Sequence, residues 1–203
     1  MGFLLDKCTF QVLNETTLKE CTPFTCGNND LDEFFSKECC LYSKQLLGKS
    51  YCFRLDSDPS IIVCAFTLSN DSIKVNMLPS ARKGAVSKHI PREKQMKRYP
   101  AVLIGRLGVN SNFRRMHIGT ELMDFIKVWF VDPLNKTGCR FIVVDAYNEE
   151  APLSYYSQND FKFLFSTEEQ ESKNTGITEG EKLKTRLMYF DLIQLCIKDI
   201  EAD

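Results

Sequence analysis

The sequence predicts a mixed α/β (α+β) fold, in which a mostly antiparallel sheet is flanked by helices. Strand-like and helix-like segments follow one another in the approximate order βαβββαβαββ. Residues 101–109 and 140–146 are apolar strands separated by a helix, so they should form a central parallel pair joined by a crossover. The short, turn-linked strands before this unit favour antiparallel pairing.

The first half of the chain is predicted to hold one helix among short strands. Alternating apolar residues predict a strand at residues 8–13. The side chains of Asn28–Asp30 are typical of a helix cap, and apolar residues follow at helical spacing. Strands at residues 50–55 and 61–68 are joined by a polar turn. Residues 70–99 are expected to be irregular.

The second half is predicted to be more regular. Apolar residues recur at helical spacing over 119–130, which indicates an amphipathic helix. The strand that follows, 140–146, is almost entirely apolar, so burial on both faces is expected. The remaining elements are expected to be a short helix, a strand, an acidic loop and a closing strand, at residues 151–158, 161–165, 166–181 and 184–192.

Composition indicates one globular domain spanning residues 1–203, with 43% hydrophobic and 26% charged residues. The formal net charge of −1 gives no global argument for nucleic acid or membrane binding. The first ten residues have no basic leader and no long apolar run, so no signal peptide is expected, and no apolar run of membrane-spanning length predicts a span. The nine cysteines include no CxxC pair and no metal-like spacing with His89 or His117, so reduced thiols in the cytoplasm and no metal are expected.

The stretch from Ile104 to Trp129 predicts an anion site. A buried strand ends in the polar turn Asn110–Ser111, two arginines follow, and a helix begins near Gly119. The first N–H groups of a helix have no partner within the helix, and the helix dipole favours negative charge there. Gly119 lacks a Cβ, so the backbone can approach a bulky phosphate closely.

The same residues resemble the signature of GNAT-superfamily N-acyltransferases, which use acyl-coenzyme A. That signature is a Gln or Arg, two variable residues, Gly, one variable residue, and Gly or Ala, and it is matched here by residues 114–119. The first arginine and the last glycine agree, whereas His117 replaces the first glycine. The family often also carries a tyrosine five residues before the phenylalanine of a Gly-Phe pair. Tyr156 and Phe161 have this separation, with Asp160 in place of glycine.

Two further blocks are similar to GNAT-type toxins of bacterial toxin–antitoxin pairs. The first block is FTCGN at residues 24–28 followed by DLDEF at residues 30–34, and the second is YPAVLIGRLGV at residues 99–109. Those toxins acetylate the amino group of aminoacyl-tRNA. The resemblance covers roughly residues 8–165. It implies a GNAT fold, acetyl-coenzyme A (acetyl-CoA) as co-substrate without a metal, a homodimer and an antitoxin-like partner.

The resemblance also implies roles for particular residues. The residues that would bind the cofactor are Leu107, Gly108, Val109, Arg114, Arg115, Met116, His117, Ile118, Gly119, Thr120 and Asn148. The backbone N–H of Val109 would polarise the thioester carbonyl. Tyr156, with Tyr155 as the nearest rival, would protonate the departing thiolate, because a phenol is protonated at neutral pH. His117 would contribute through its backbone.

The acceptor is left open by the sequence. The leading hypothesis is the amino group of aminoacyl-tRNA, with a small amine or protein lysine, or a non-catalytic CoA-binding fold, as alternatives. No general base is identified, although Asp145, Glu149 and Glu150 are nearby in sequence. Residues 82–98 hold seven Lys or Arg and one acid, which makes them a candidate contact for RNA phosphates or for the 3′-phosphate of CoA. No membrane partner is expected.

Overall fold

The computed structural model describes residues 2–91, 96–175 and 182–200. The strands in these ranges are β1 (Cys8–Val12), β2 (Lys49–Leu55), β3 (Asp58–Lys74), β4 (Arg98–Val109), β5 (Phe141–Tyr147), β6 (Lys162–Phe163) and β7 (Thr185–Asp191). The α-helices are α1 (Phe3–Lys7), α2 (Glu15–Glu20), α3 (Asn29–Glu33), α4 (Cys39–Lys44), α5 (Ser80–Ser87), α6 (Ile118–Val131), α7 (Glu150–Gln158), α8 (Glu168–Thr175) and α9 (Ile193–Ile200). A π-helical segment, Phe34–Glu38, connects α3 to α4, and short 3-10 turns lie at Val75–Met77 and Ser111–Phe113.

The strands of the described residues form one seven-stranded sheet in the order β1-β2-β3-β4-β5-β7-β6. β1 pairs antiparallel with β2, β2 with β3, and β7 with both β5 and β6. β4 lies beside β5, and α6 joins them along the chain. The predicted fold, a mostly antiparallel sheet with one parallel pair and flanking helices, is confirmed.

Contacts divide the chain into two compact units, and one domain over residues 1–203 stays a prediction. The first unit comprises the described residues up to Ser69 together with Ile104–Val128. On one face of its strands, the rings of Phe10 and Phe53 lie 4.8 and 5.0 Å from the ring of Phe125, which holds α6 against the sheet. Cys52 points to the opposite face and belongs to a second cluster under α3 and the π segment.

The second unit comprises Asn70–Leu103 and the described residues from Trp129 onward. Its core includes Val86 of α5, Tyr99 of β4, Phe141 of β5 and Tyr189 of β7, all of which are buried. The ring of Phe141 lies 5.9 Å from that of Tyr189 and 6.2 Å from that of Tyr99, so aromatic contacts connect the three strands. Among the described residues, no helix is long and apolar enough to cross a membrane.

Two predictions of irregular structure were wrong. Residues 70–99 contain the end of β3 and helix α5. Hydrogen bonds hold α5 in place, because the guanidinium of Arg82 donates to the carbonyl of Leu164 at 2.9 Å and to that of Phe163. Val86 is the buried residue of α5, so the apolar pattern of this segment was too weak to predict a helix. The predicted acidic loop contains α8, and its residues 176–181 lie outside the described residues.

Helix α8 exists because one of its carboxylates is buried and paired. Glu171 accepts hydrogen bonds from Nε of Arg186 at 2.7 Å and from the backbone N–H of Leu187 at 2.6 Å. Both members of the pair are buried, so each charge needs the other.

The predicted strand at residues 161–165 is reduced to the two residues of β6, and residues 92–95 of the basic tract lie outside the described residues. Burial of β5 on both faces fails at Asp145, which is exposed.

Candidate functional site

The strand-to-helix turn begins at Asn110, a buried polar residue immediately after β4. Its backbone N–H donates to the carbonyl of Val63 at 2.9 Å, and its side-chain amide donates to that of Ile62 at 2.9 Å. Its side-chain oxygen accepts from the backbone N–H of Asn112 at 3.0 Å. Asn110 therefore fastens the end of β4 to β3 and starts the 3-10 turn. The sequence identified this residue only as part of a polar turn.

The backbone then alternates between the two halves of φ space. Arg115 has φ +63° and His117 has φ +58°, whereas Met116 between them is not among the residues with positive φ. Such alternation turns successive N–H groups towards a common centre, as in anion-binding nests. His117 thus adopts the left-handed conformation for which the family signature uses glycine, at a cost of about 1–2 kcal/mol for a residue with a Cβ.

Helix α6 follows directly. Its first helical hydrogen bond runs from the N–H of Glu121 to the carbonyl of His117, at 3.1 Å. Ile118 is buried and anchors the helix, while Met116, His117 and Thr120 are exposed. The turn therefore presents its backbone at the positive end of a 14-residue helix.

The two arginines of the signature occupy different environments. The guanidinium of Arg114 donates a 2.5 Å hydrogen bond to the carbonyl of Cys26 and lies against Gly27. Arg115 carries an exposed side chain. Arg114 therefore holds the turn against the loop at residues 24–28 through this bond, although both arginines are exposed to solvent.

The loop at residues 24–28 supports the end of β4. A Cβ at Gly108 would lie 3.2 Å from both Cβ and Sγ of Cys26 and 3.3 Å from the ring of Phe24, so a larger residue is disfavoured there. The carboxylate of Asp32 accepts from the hydroxyl of Thr25 and the N–H of Cys26, both at 2.7 Å. Burial alone raises the pKa of Asp32, but these hydrogen bonds outweigh it and the net pKa is lowered.

The N-terminal helix supports the other side of the turn, a contact with no sequence signal. The backbone N–H of Leu4 donates to the carboxylate of Glu121 at 2.8 Å. The ring of Phe3 lies 5.9 Å from that of Phe113 in the 3-10 turn. Leu4 is 1% exposed, so α1 is packed into the first unit.

In the second unit, Tyr156 and Phe161 end helix α7. Asp160 has φ +64°, and its N–H donates to the carbonyl of Ser157 at 3.1 Å. The N–H of Phe161 donates to the carbonyl of Tyr156 at 3.0 Å. These two bonds and the left-handed residue define a Schellman motif, in which glycine is usual at the position of Asp160.

The Tyr156 side chain is half-buried between aromatic neighbours. Its ring lies 5.4 Å from that of Phe161 and 5.0 Å from that of Tyr155. Burial raises the pKa of Tyr156 well above its ordinary value, because the phenolate would be poorly solvated. The side chain is therefore a protonated phenol at neutral pH.

Asn148 has two contacts to the strand end opposite it. Its side-chain amide donates to the carbonyl of Leu183 and its backbone N–H to that of Lys184, both at 2.9 Å. On β5, partial desolvation of the carboxyl group raises the pKa of Asp145, although the residue as a whole is exposed, and the charges of Asp71 and Glu171 raise this pKa further. Glu149 and Glu150 are exposed.

The buried cysteines are poor nucleophiles. Burial raises the pKa of the Cys26 thiol, the one nearest to Gly108, to about 11. The pKa values of Cys39 and Cys52 are raised to about 12 by burial. Since the thiolate is the reactive form, an acyl-cysteine intermediate at these positions is disfavoured. No group of three or more His, Cys, Asp or Glu suited to a metal is found in the described part of the chain.

No protein-family model matches the chain, and no curated protein matches it. Solved structures do. A structure of AtaT complexed with acetyl-methionyl-tRNAfMet matches with a TM-score of 0.65 at 17% identity, covering 94% of this chain and 98% of that one. A tyrosine-to-phenylalanine mutant of KacT matches with a TM-score of 0.62 at 17% identity, covering 94% and 99%.

A third structure is a tyrosine-to-phenylalanine mutant of the AtaT toxin bound to the C-terminus of the antitoxin AtaR and acetyl-CoA. It matches with a TM-score of 0.59 at 13% identity, covering 95% of this chain and 98% of that one. At these identities the similarity establishes the fold. The predicted fold is confirmed, because the chain shares it with the structures of AtaT and KacT.

Proposed function

We propose that this chain is an acetyl-CoA-dependent N-acetyltransferase whose acceptor is the amino group of aminoacyl-tRNA. The observation that carries the proposal is the alternating backbone of Arg115–His117 at the head of α6. It preserves the shape that the glycine of the family signature provides, although a histidine stands there. The non-catalytic alternative drew its support from this departure and from Asp160, and both residues keep the left-handed backbone.

The backbone N–H groups of the turn are assigned to the CoA pyrophosphate, with Gly119 allowing close approach. The side chain of Arg115 supplies charge, whereas Arg114 acts through its bond to Cys26. Leu107, Gly108 and Val109 are assigned to the pantetheine arm, which adds to β4 like a further strand. Asn148 is assigned to the same arm, in addition to its contact with Leu183.

The chemistry is direct transfer. The neutral amine attacks the thioester carbon, a C–N bond forms, the C–S bond breaks, and the amine loses a proton to solvent or to an acceptor base. The N–H of Val109 stabilises the developing oxyanion, and Tyr156 gives its proton to the departing sulfur. The raised thiol pKa values support direct attack over a cysteine intermediate. Tyrosine-to-phenylalanine mutants of AtaT and KacT among the similar structures support the choice of a tyrosine.

The acceptor is proposed from chemistry and from one similar structure. An α-amino group with a pKa of about 8 is partly neutral at cellular pH, whereas a lysine with a pKa near 10.4 needs a general base, and none is identified among the described residues. AtaT was captured with acetyl-methionyl-tRNAfMet. Lys88, Lys97 and Arg98 are exposed and suit an RNA backbone, while Arg82 is engaged with backbone carbonyls.

The same proposal includes a cytoplasmic location, a homodimer and an antitoxin-like partner. Binding of AtaT to its antitoxin, and a KacTA–DNA complex among the similar structures, support the partner. Co-expression with candidate antitoxins, followed by light scattering of the purified species, measures both assemblies. Recovery of a monomer that no candidate binds would remove this part of the proposal.

The decisive test has two stages. Isothermal titration with acetyl-CoA should show binding, and its absence would eliminate every catalytic version. Bulk aminoacyl-tRNA, small amines and lysine peptides are then incubated with labelled acetyl-CoA and examined by mass spectrometry. We expect label on the α-amino group of aminoacyl-tRNA. Label confined to small amines or to lysine would establish the alternative transferase instead.

A further inference from the structure

Arg106 lies on the same face of β4 as Gly108, because alternate residues of a strand share a face. Gly108 is the residue that faces Cys26 and Phe24. At about 3.3 Å per residue, the Cα of Arg106 is about 7 Å from that of Gly108 along the strand. Arg106 is therefore near the part of β4 that is proposed to hold the thioester. It belongs to the first unit, as does the turn between β4 and α6.

The guanidinium of Arg106 is poorly satisfied. Its one hydrogen bond among the described residues runs from Nη1 to the carbonyl of its own neighbour Gly105, at 2.9 Å. Its Nε is buried and has no hydrogen-bond partner in the described part of the chain. Asp30, 61% exposed, has a carboxylate oxygen 3.8 Å from Nε, which is within ion-pair range but beyond hydrogen-bonding distance.

The same guanidinium is held in place by an aromatic ring. Its carbon lies 5.1 Å from the ring centre of Phe34, the first residue of the π segment. Such stacking fixes the plane of a guanidinium and leaves its edge for another ligand. The Arg106 side chain is 40% exposed, so that ligand can come from solvent.

We propose that Arg106 binds a backbone phosphate at the 3′ end of the RNA acceptor, an inference that rests on the proposed function. In an aminoacyl ester the carboxyl group is esterified, so the phosphates are the negative groups nearest to the reacting amine. A planar fork with five N–H donors matches a phosphate, and here most of those donors lack a protein partner. Asp30 is the internal anion that the phosphate displaces.

The test compares two acceptors that differ by one group. Aminoacyl-adenosine has no phosphate, and an aminoacyl dinucleotide has one phosphodiester next to the terminal adenosine. We expect Arg106→Gln to raise KM for the dinucleotide and for aminoacyl-tRNA about tenfold. It should leave kcat/KM for aminoacyl-adenosine and Kd for acetyl-CoA within about twofold. Arg106→Lys keeps the positive charge but lacks the planar fork, so its KM for the dinucleotide should lie between those of the wild type and Arg106→Gln.

Two further variants separate binding from structure. Lys37→Gln removes one positive charge from an exposed, ion-paired side chain of the π segment and should change none of these values. Asp30→Asn removes the competing anion and should lower KM for the dinucleotide but not for aminoacyl-adenosine. The slope of log affinity for aminoacyl-tRNA against log salt should fall by about 0.7 in Arg106→Gln.

The outcomes distinguish the two proposals. If the wild-type protein acetylates neither acceptor, the proposed function fails and this assignment falls with it. If it acetylates both and Arg106→Gln leaves both unchanged or weakens both equally, only the assignment falls, and the arginine merely connects β4 to α3. A selective loss for the phosphate-bearing acceptors supports it.

Discussion

The backbone N–H of Phe161 donates a 3.0 Å hydrogen bond to the carbonyl of Tyr156, and the rings of the same two residues lie 5.4 Å apart. The bond closes the Schellman motif at the end of α7, and the ring contact is the apolar pair that commonly accompanies it. The five-residue spacing between tyrosine and phenylalanine is therefore set by the way in which this helix ends. A residue proposed for catalysis is positioned by a helix cap.

Replacement of Asp160 by glycine should stabilise the protein. Asp160 has φ +64°, where glycine avoids the steric cost of a Cβ. We expect the free energy of unfolding to rise by about 0.5–1 kcal/mol, measured from the urea midpoint. Asp160→Ala is the matched control and should lower it, because alanine tolerates this conformation less well than aspartate. A glycine variant less stable than the wild type would show that the Asp160 side chain has a contact of its own.

Replacement of His117 by glycine tests the turn at the head of α6. The φ of +58° again favours glycine, so stability should rise by about 0.5–1 kcal/mol. His117 is assigned to the pyrophosphate through its backbone and not its imidazole, so Kd for acetyl-CoA by titration calorimetry should stay within about threefold. A large loss of affinity in a well-folded His117→Gly variant would instead assign the binding to the imidazole.

These positions show where sequence reasoning succeeds and where it does not. The cap at Asn28 was predicted correctly, because its side chain accepts from the N–H of Leu31 three residues later and such contacts are local. Helices α5 and α8 were missed, because they depend on Arg82 and Glu171, whose partners lie 82 and 15 residues away and in other elements. The succession of strands along the chain and the crossover that joins β4 to β5 followed from apolar patterns and crossover rules.

The site was predictable to a similar degree. The signature located the turn between β4 and α6. The different contacts of its two arginines were not predictable, because Arg114 bonds to the carbonyl of Cys26, 88 residues away. Hydrogen-bond partners at such separations leave no periodic signal in a sequence. The contact of Leu4 with Glu121 escaped notice for the same reason.

Substitution of Tyr156 by phenylalanine should lower kcat by a factor of about 10² to 10⁴, the usual contribution of a proton donor. Kd for acetyl-CoA should be unchanged, and Tyr155→Phe, on the adjacent ring, should retain activity. Burial raises the pKa of Tyr156, so the proton is retained in alkaline solution and kcat of the wild type should show no loss up to about pH 10 from this group. A fall in kcat between pH 8 and 10 that disappears in Tyr156→Phe would contradict this assignment.

A methyl group at Gly108 should impair both stability and catalysis. The added Cβ would lie 3.2 Å from Cys26 and 3.3 Å from Phe24, so the loop at residues 24–28 would have to move. Such overpacking costs about 1–3 kcal/mol. Gly105→Ala is the matched control, since in the described part of the chain no atom beyond its own two neighbours lies within 4 Å of the added Cβ. Thermal melts and kcat/KM are measured for both variants. Equal effects would mean that any added methyl group on β4 is harmful, and that the contact with the loop at residues 24–28 is not the cause.

Stability should fall in alkaline solution because of the buried thiols. The pKa of Cys52 is about 12 in the folded protein, raised by burial from 9.0, and that of Cys26 is about 11. The folded state therefore holds these protons more tightly than the unfolded state does. The resulting stability is fully present below pH 9.0 and is lost as the pH rises towards the folded values. Each thiol contributes a slope of up to about 1.4 kcal/mol per pH unit in that window.

Urea unfolding at intervals from pH 8 to pH 10.5, in reducing buffer, measures this slope. Cys52→Ala should be less stable at every pH because of its cavity, but its stability should fall less steeply above pH 9. Val63→Ala removes comparable buried volume without a titrating group, so it should keep the wild-type slope. Parallel curves for the wild type and Cys52→Ala would show that this thiol ionises as readily in the folded chain as in the unfolded one.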